Sequence, residues 1–124
     1  MRLVTFRHRG RIQVGALVER GGESFVQGLA QGQRAFPASL LSLLTAGASA
    51  LLRAREALAS GEAELIPLPE VTLLAPIPRP GKILCVGHNY RGHIGIGRSE
   101  PPEYPNIFCK TANTIIGPAD PIVL

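Results

Sequence analysis

Between Arg11 and Val18 the apolar side chains Ile12, Val14, Ala16 and Val18 fall on every second residue, the period of a strand with one buried face. Arg2 to Arg7 is also strand-like, and His8-Arg9-Gly10 between the two runs supplies a turn. The chain is therefore predicted to open with a β-hairpin whose Ile12/Val14/Ala16/Val18 face is core. Glu19-Arg20-Gly21-Gly22-Glu23 is a second turn signal, and Ser24-Phe25-Val26 fits a short third strand beside the first two.

Pro37 opens a helical region in which Leu40, Leu41, Leu43 and Leu44 crowd one broad side, and Gly47 marks a break. In the helix that follows, Leu51, Leu52, Ala54 and Leu58 alternate with outward Arg53, Arg55 and Glu56, and Ser60-Gly61 gives a stop. This leucine-rich stretch reads as core packing rather than as a partner-binding face. These elements form a module over residues 1–75. Pro67, Pro69, Pro76, Pro78 and Pro80 bracket a strand-like run at Val71 to Leu74 and hold the surrounding chain extended, which makes this the best domain boundary. Residues 76–124 then supply a connector, a buried strand at Lys82 to Val86 ending at Gly87, and two more strands at Asn106 to Lys110 and Ile122 to Leu124. The expected fold is α+β: a small module with a hairpin and two helices, then the first strands of a mainly β domain.

Composition narrows the class. With 45% hydrophobic and 18% charged residues in 124, the chain matches ordinary globular proteins with one modest core. The 14 glycines and 11 prolines favour short elements joined by turns. The net charge is +4, and Arg2, Arg7, Arg9, Arg11 and Arg20 cluster early, but only Phe6 sits among them. Nucleic-acid sites combine a basic stripe with stacking aromatics or a reading motif, so solvated arginines on the outer faces of a hairpin are expected instead. Ala35 to Leu52 is uncharged and near the lower length for a membrane span, yet it holds Pro37, Gly47 and several hydroxyl residues and reads as buried helix. Cys85 and Cys109 both lie in apolar runs, and no signal peptide precedes them, which points to a reducing cytoplasm. The final Asp120-Pro121-Ile122-Val123-Leu124 is apolar with no polar tail, so either a truncation or cover by another polypeptide is expected.

Chemistry concentrates in Gly87-His88-Asn89-Tyr90-Arg91-Gly92-His93, which places two imidazoles, an amide, a phenol and a guanidinium just past a strand end. His88 or His93 can take a proton near neutral pH, and Arg91 and Lys110 can hold an anion. Ordinary hydrogen-bonded loop histidines fit the same residues. A zinc site from Cys85, His88, His93 and Cys109 is a rival, but Cys85 inside an apolar strand needs no ligand role. A nucleotide loop is a weaker rival, because Gly87-His88-Asn89 lacks the close glycine spacing that lets backbone approach a pyrophosphate.

The segment 87–93, followed by Pro105-Asn106-Ile107-Phe108-Cys109-Lys110 and by Ile116-Gly117-Pro118-Ala119-Asp120-Pro121-Ile122-Val123-Leu124, resembles the opening of the catalytic domain of the fumarylacetoacetate hydrolase family. The start Met1-Arg2-Leu3-Val4-Thr5-Phe6 and the connector Pro76 to Lys82 resemble the amino-terminal module of many bacterial members. The resemblance implies a divalent-metal enzyme, using Mg2+, Mn2+ or Ca2+, that acts on 1,3-dicarbonyl or 2-oxo acid substrates by hydrolysis, decarboxylation or isomerisation. The metal would chelate substrate oxygens and stabilise an enolate. The family's Gly-x-Asn-Tyr-x-x-His pattern maps its water-activating histidine onto His93, with Tyr90, Arg91 and Lys110 as substrate-binding residues. Many members carry a glutamate three residues after that histidine, where this chain has Ile96. Glu100 or Glu103 is then expected to fold back over the glycine-rich 92–97 stretch, which would act as a closing lid. Failing that, decarboxylation or tautomerisation is favoured over hydrolysis. The family's carboxylate metal ligands fall past Leu124, so no metal ligand is assigned here. A homodimer, or pairing with the missing catalytic half, is expected. The alternative is a non-catalytic interaction or dimerisation module.

Overall fold

The hairpin forms as its period demands: β1 (Arg2–His8) runs antiparallel to β2 (Arg11–Arg20), from Arg2 opposite Leu17 to His8 opposite Arg11. In this computed structural model, which describes residues 1–28, 39–60, 63–90 and 102–123, the turn residues Arg9 and Gly10 both take positive φ, 48° and 76°. That pair matches the twist of the flanking strands. Gly21 and Gly22, with φ of 59° and 85°, make the same kind of turn into β3 (Glu23–Gly28), which is longer than the predicted Ser24-Phe25-Val26.

Two further strands come from the proline-rich region. β4 (Leu65–Pro67) pairs with β3, and β5 (Thr72–Leu74) pairs with β1, giving a five-stranded antiparallel sheet in the order β4-β3-β2-β1-β5. β5 falls within the strand-like run expected at Val71 to Leu74, whereas β4 was not expected. Both edge strands are short, and β4 ends on Pro67, whose missing N–H costs least at an edge and discourages pairing with other chains.

Each face of the sheet carries a core. On one, Val14 and Ala16 meet Leu40 and Leu43 of α1 (Leu40–Thr45) and Ala50, Ala54 and Leu58 of α2 (Ala48–Ala59). Ser39 caps α1 by accepting from the Ser42 amide at 3.1 Å, and Gly47, at φ 83°, turns the chain between the helices. On the other face, Phe6, Val26 and Ile66 are almost wholly buried, with Leu17, Leu68 and Val71 packed around them. The Phe6 ring lies over Gly15 and Gly28, which face each other across β2 and β3. A Cβ on Gly15 would sit 2.5 Å from the Gln27 carbonyl and 3.1 Å from the ring, so the ring can occupy that space only above glycine.

The apolar pattern overstated the buried surface. Ile12 lies beside the turn and is exposed, so the predicted core face of β2 narrows to Val14, Ala16 and part of Val18. Leu41, Leu44 and Leu52 are also exposed, because a helix lying on a sheet buries only one stripe. The five early arginines are all exposed, as expected of solvated hairpin faces. Among the described residues no helix is long and apolar enough to cross a membrane.

The chain divides into two compact units, Met1–Pro78 with Ile116–Leu124, and Arg79–Ile115. The second is a two-stranded antiparallel ribbon of β6 (Ile83–Gly87) and β7 (Asn106–Lys110). β6 is not the buried strand that its apolar run suggested: Leu84 and Val86 are exposed. Ile122 and Val123 belong to no strand, so the expected third strand of this region is absent at those residues.

Candidate functional site

β6 ends at Gly87, and the next residue, His88, adopts φ 53°, the left-handed region that non-glycine residues rarely occupy. Strain of this kind costs on the order of 1–3 kcal/mol and collects where function requires it. Beyond the turn Asn89 is exposed, and Tyr90 is 78% exposed. The ribbon register sets Asn106 directly opposite Gly87, and the Asn106 side-chain Nδ2 lies 3.4 Å from His88 Nδ1. Donation from the amide requires a lone pair on Nδ1, which puts the proton of the neutral ring on Nε2.

The other expected site residues are distributed unevenly. His93, Arg91, Glu100 and Ile96 lie outside the described residues. Glu103 is exposed. Lys110 pairs with Ile83 at the far end of the ribbon, four residues or about 13 Å of strand from the Gly87 corner. Its Nζ sits over the Phe108 ring, 5.7 Å from the centroid, a cation–π contact along its own strand. The ribbon therefore brings His88 and Asn106 together and separates Lys110 from Tyr90. In the sequence Asn106 opens a strand and lies in the 105–110 segment that carries the family resemblance, with no role at the site. Its partnership with His88 spans 18 residues and follows from register, although a polar amide opening an apolar run was a usable signal.

The zinc rival fails on geometry. Cys85 pairs with Phe108 and Cys109 with Leu84, so the cysteines project from opposite faces of the ribbon, and both are free thiols. Among the described residues no three His, Cys, Asp or Glu side chains converge to hold a metal ion.

The opposite face of the ribbon is apolar and open: Leu84, Val86 and Ile107 are 62%, 49% and 61% exposed, with Cys109 beside them. A two-stranded ribbon with an uncovered apolar face is marginal on its own in water.

No family model matches the chain. Individual proteins do. Oxaloacetate tautomerase Fahd2a, mitochondrial, of Rattus norvegicus is 40% identical over 126 residues, which take in 100% of this chain and 39% of that protein. Fumarylacetoacetate hydrolase domain-containing protein 2 of Pongo abelii is 36% identical over 124 residues, again 100% of this chain and 39% of its own length. Among solved structures, 5-carboxymethyl-2-hydroxymuconate delta-isomerase from Mycobacterium smegmatis superimposes with a TM-score of 0.57 at 25% identity, covering 98% of this chain and 37% of that one. The chain thus spans about two fifths of the curated relatives it matches. Likeness that runs along the whole chain, in sequence and in fold, makes this protein a member of the fumarylacetoacetate hydrolase family.

Proposed function

We propose that this chain is part of an enzyme that moves a proton within a 2-oxo acid, a tautomerisation or isomerisation rather than a hydrolysis. The observation that carries this reading is the 40% identity to an oxaloacetate tautomerase along the full chain. It is supported by the M. smegmatis delta-isomerase and by Ile96, which stands where a glutamate would orient a water-activating histidine. Keto–enol interconversion balances without a co-reactant: a base takes a proton from the carbon beside the carbonyl, and the carbonyl oxygen gains one. It requires no activated water, so loss of the dyad glutamate is tolerable.

In this reading His93 is the base, and Tyr90 and Arg91 hold the substrate's carboxylate. Lys110, set apart by the ribbon register, is left to a separate anion contact. The left-handed His88, with its ring beside Asn106, shapes the Gly87–Tyr90 corner at the end of β6. The described residues do not fit a divalent-cation site. The Mg2+, Mn2+ or Ca2+ requirement implied by the resemblance is a property to test on a protein that includes the rest of the family's length. The uncovered Leu84/Val86/Ile107 face packs, in this proposal, on that remaining region or on a second copy. Two free thiols suit a reducing compartment such as the cytoplasm.

The same open face also favours a second reading, a non-catalytic interaction module. Oxaloacetate and an acylpyruvate, each with magnesium, separate the readings when offered to this chain alone and to a polypeptide that carries it together with the remaining region. Enol–keto interconversion by the longer polypeptide supports the enzyme reading. Acylpyruvate cleavage without tautomerisation would replace it with a hydrolase, and no turnover of either substrate would favour the module.

A further inference from the structure

β4 stops pairing with β3 before that edge of the sheet is complete. The register sets Gln27, Val26 and Phe25 opposite Leu65, Ile66 and Pro67, and the next residue, Leu68, opens a 3₁₀ turn over Leu68–Glu70 instead of facing Ser24. The Gly28 amide donates to the Glu64 carbonyl at 2.9 Å. Strand bonding alternates residue by residue, so Gly28, Val26 and Ser24 all direct their main-chain N–H and C=O toward the β4 side. At Ser24 that side holds no strand.

Where the strand is missing lies an apolar hollow of about 470 Å³, lined by Glu23, Ser24, Phe25, Pro67, Leu68 and Pro69. Hollows of this size take small ligands. Its walls are stiff, because Pro67 and Pro69 restrict the backbone on either side of Leu68, and Leu68 packs against the Phe6/Val26/Ile66 core. The Ser24 hydroxyl donates to the Glu19 carboxylate at 2.8 Å, which leaves the main chain of Ser24 to meet a ligand. Glu23 is exposed, and among the described residues it makes no ion pair.

Three kinds of group therefore meet in one hollow: an unpaired main-chain edge, an apolar lining and a carboxylate. Their counterparts in a ligand are one residue's N–H and C=O, an apolar side chain and a cation. We propose that this hollow binds a short peptide segment in which a leucine-like residue stands next to an arginine or lysine. The peptide supplies the rung that β4 omits. Its N–H donates to the Ser24 carbonyl, its C=O accepts from the Ser24 amide, its apolar side chain fills the hollow, and its cation pairs with Glu23. The site lies wholly within the Met1–Pro78 unit and does not depend on the function proposed above.

Titration of the isotope-labelled 124-residue chain with acetyl-leucyl-arginine amide, followed by amide chemical shifts, tests the site. Shifts should be confined to Glu23, Ser24, Phe25, Leu68 and their neighbours, with a Kd of about 0.1–1 mM for so small a ligand. Three changes should each weaken binding about tenfold: Glu23→Gln, glutamate in place of the peptide's arginine, and an ester oxygen in place of the leucine N–H. Glu23 is exposed, so its variant should keep the wild-type amide pattern in β1 and β2. Equal binding of the ester analogue removes the main-chain rung, and equal binding to Glu23→Gln removes the ion pair; either result overturns the proposal. So does an absence of shifts at about 10 mM peptide, or shifts spread evenly over the exposed surface. Shifts at the same residues that grow with protein concentration alone would place a second copy in the hollow and overturn the peptide assignment.

Discussion

The Gln27 side chain, 5% exposed, donates from Nε2 to the Leu58 carbonyl at 2.7 Å and joins the sheet to the last turn of α2. Leu58 sits one residue before the end of the helix, where carbonyls lack intrahelical partners, so a buried strand residue serves as the helix's C-terminal cap. Gln27→Leu leaves that carbonyl unsatisfied in the core. It should cost about 1–3 kcal/mol, read as a lower urea midpoint with an unchanged slope.

Phe6 and Gly15 form a matched pair in which a ring fills the space above a residue without a Cβ. Phe6→Ala should cost about 3–5 kcal/mol by leaving a cavity, enough to unfold much of a small domain. Gly15→Ala should also destabilise, by about 1–3 kcal/mol, because its methyl would meet the Gln27 carbonyl at 2.5 Å. The two effects should not add in the double variant, since both residues shape one space.

Arg9 occupies the first left-handed position of the β1–β2 turn and is exposed. Asparagine tolerates that conformation better than arginine, and Asn-Gly is the favoured sequence for such turns. Arg9→Asn should therefore raise stability by about 0.5–1 kcal/mol in thermal or urea melts. No gain would mean that the turn is not left-handed at both central residues.

The hairpin and the turns at Arg9-Gly10 and Gly21-Gly22 were legible in the sequence because period-two alternation and glycine punctuation are local signals. β4 was not. Leu65-Ile66-Pro67 is too short to show a period, and it becomes a strand only through pairing with Phe25, Val26 and Gln27. Exposed Leu41, Leu44 and Leu52 were over-read for the opposite reason, since leucine clustering shows that a helix is apolar but not which stripe the sheet covers. At the site, the Gly87–Tyr90 corner was legible as a loop after a strand. The His88–Asn106 contact and the separation of Lys110 depend on a register that neither strand encodes alone.

Cys85 and Cys109 project from opposite faces of the ribbon, so mild oxidation should produce no intramolecular disulfide. Cys109, the more exposed thiol, should react first with a thiol reagent, which peptide mapping after partial labelling would show. A Cys85–Cys109 crosslink would contradict the register of β6 and β7.

In the function proposed above, His93 in the segment after β6 supplies the base for proton transfer. The most direct measurement is the rate of oxaloacetate enol–keto interconversion, in magnesium, by the longer polypeptide and its His93→Ala variant. A fall of about a hundredfold or more in kcat, with the fold retained, is the predicted result. An unchanged rate in His93→Ala would contradict it.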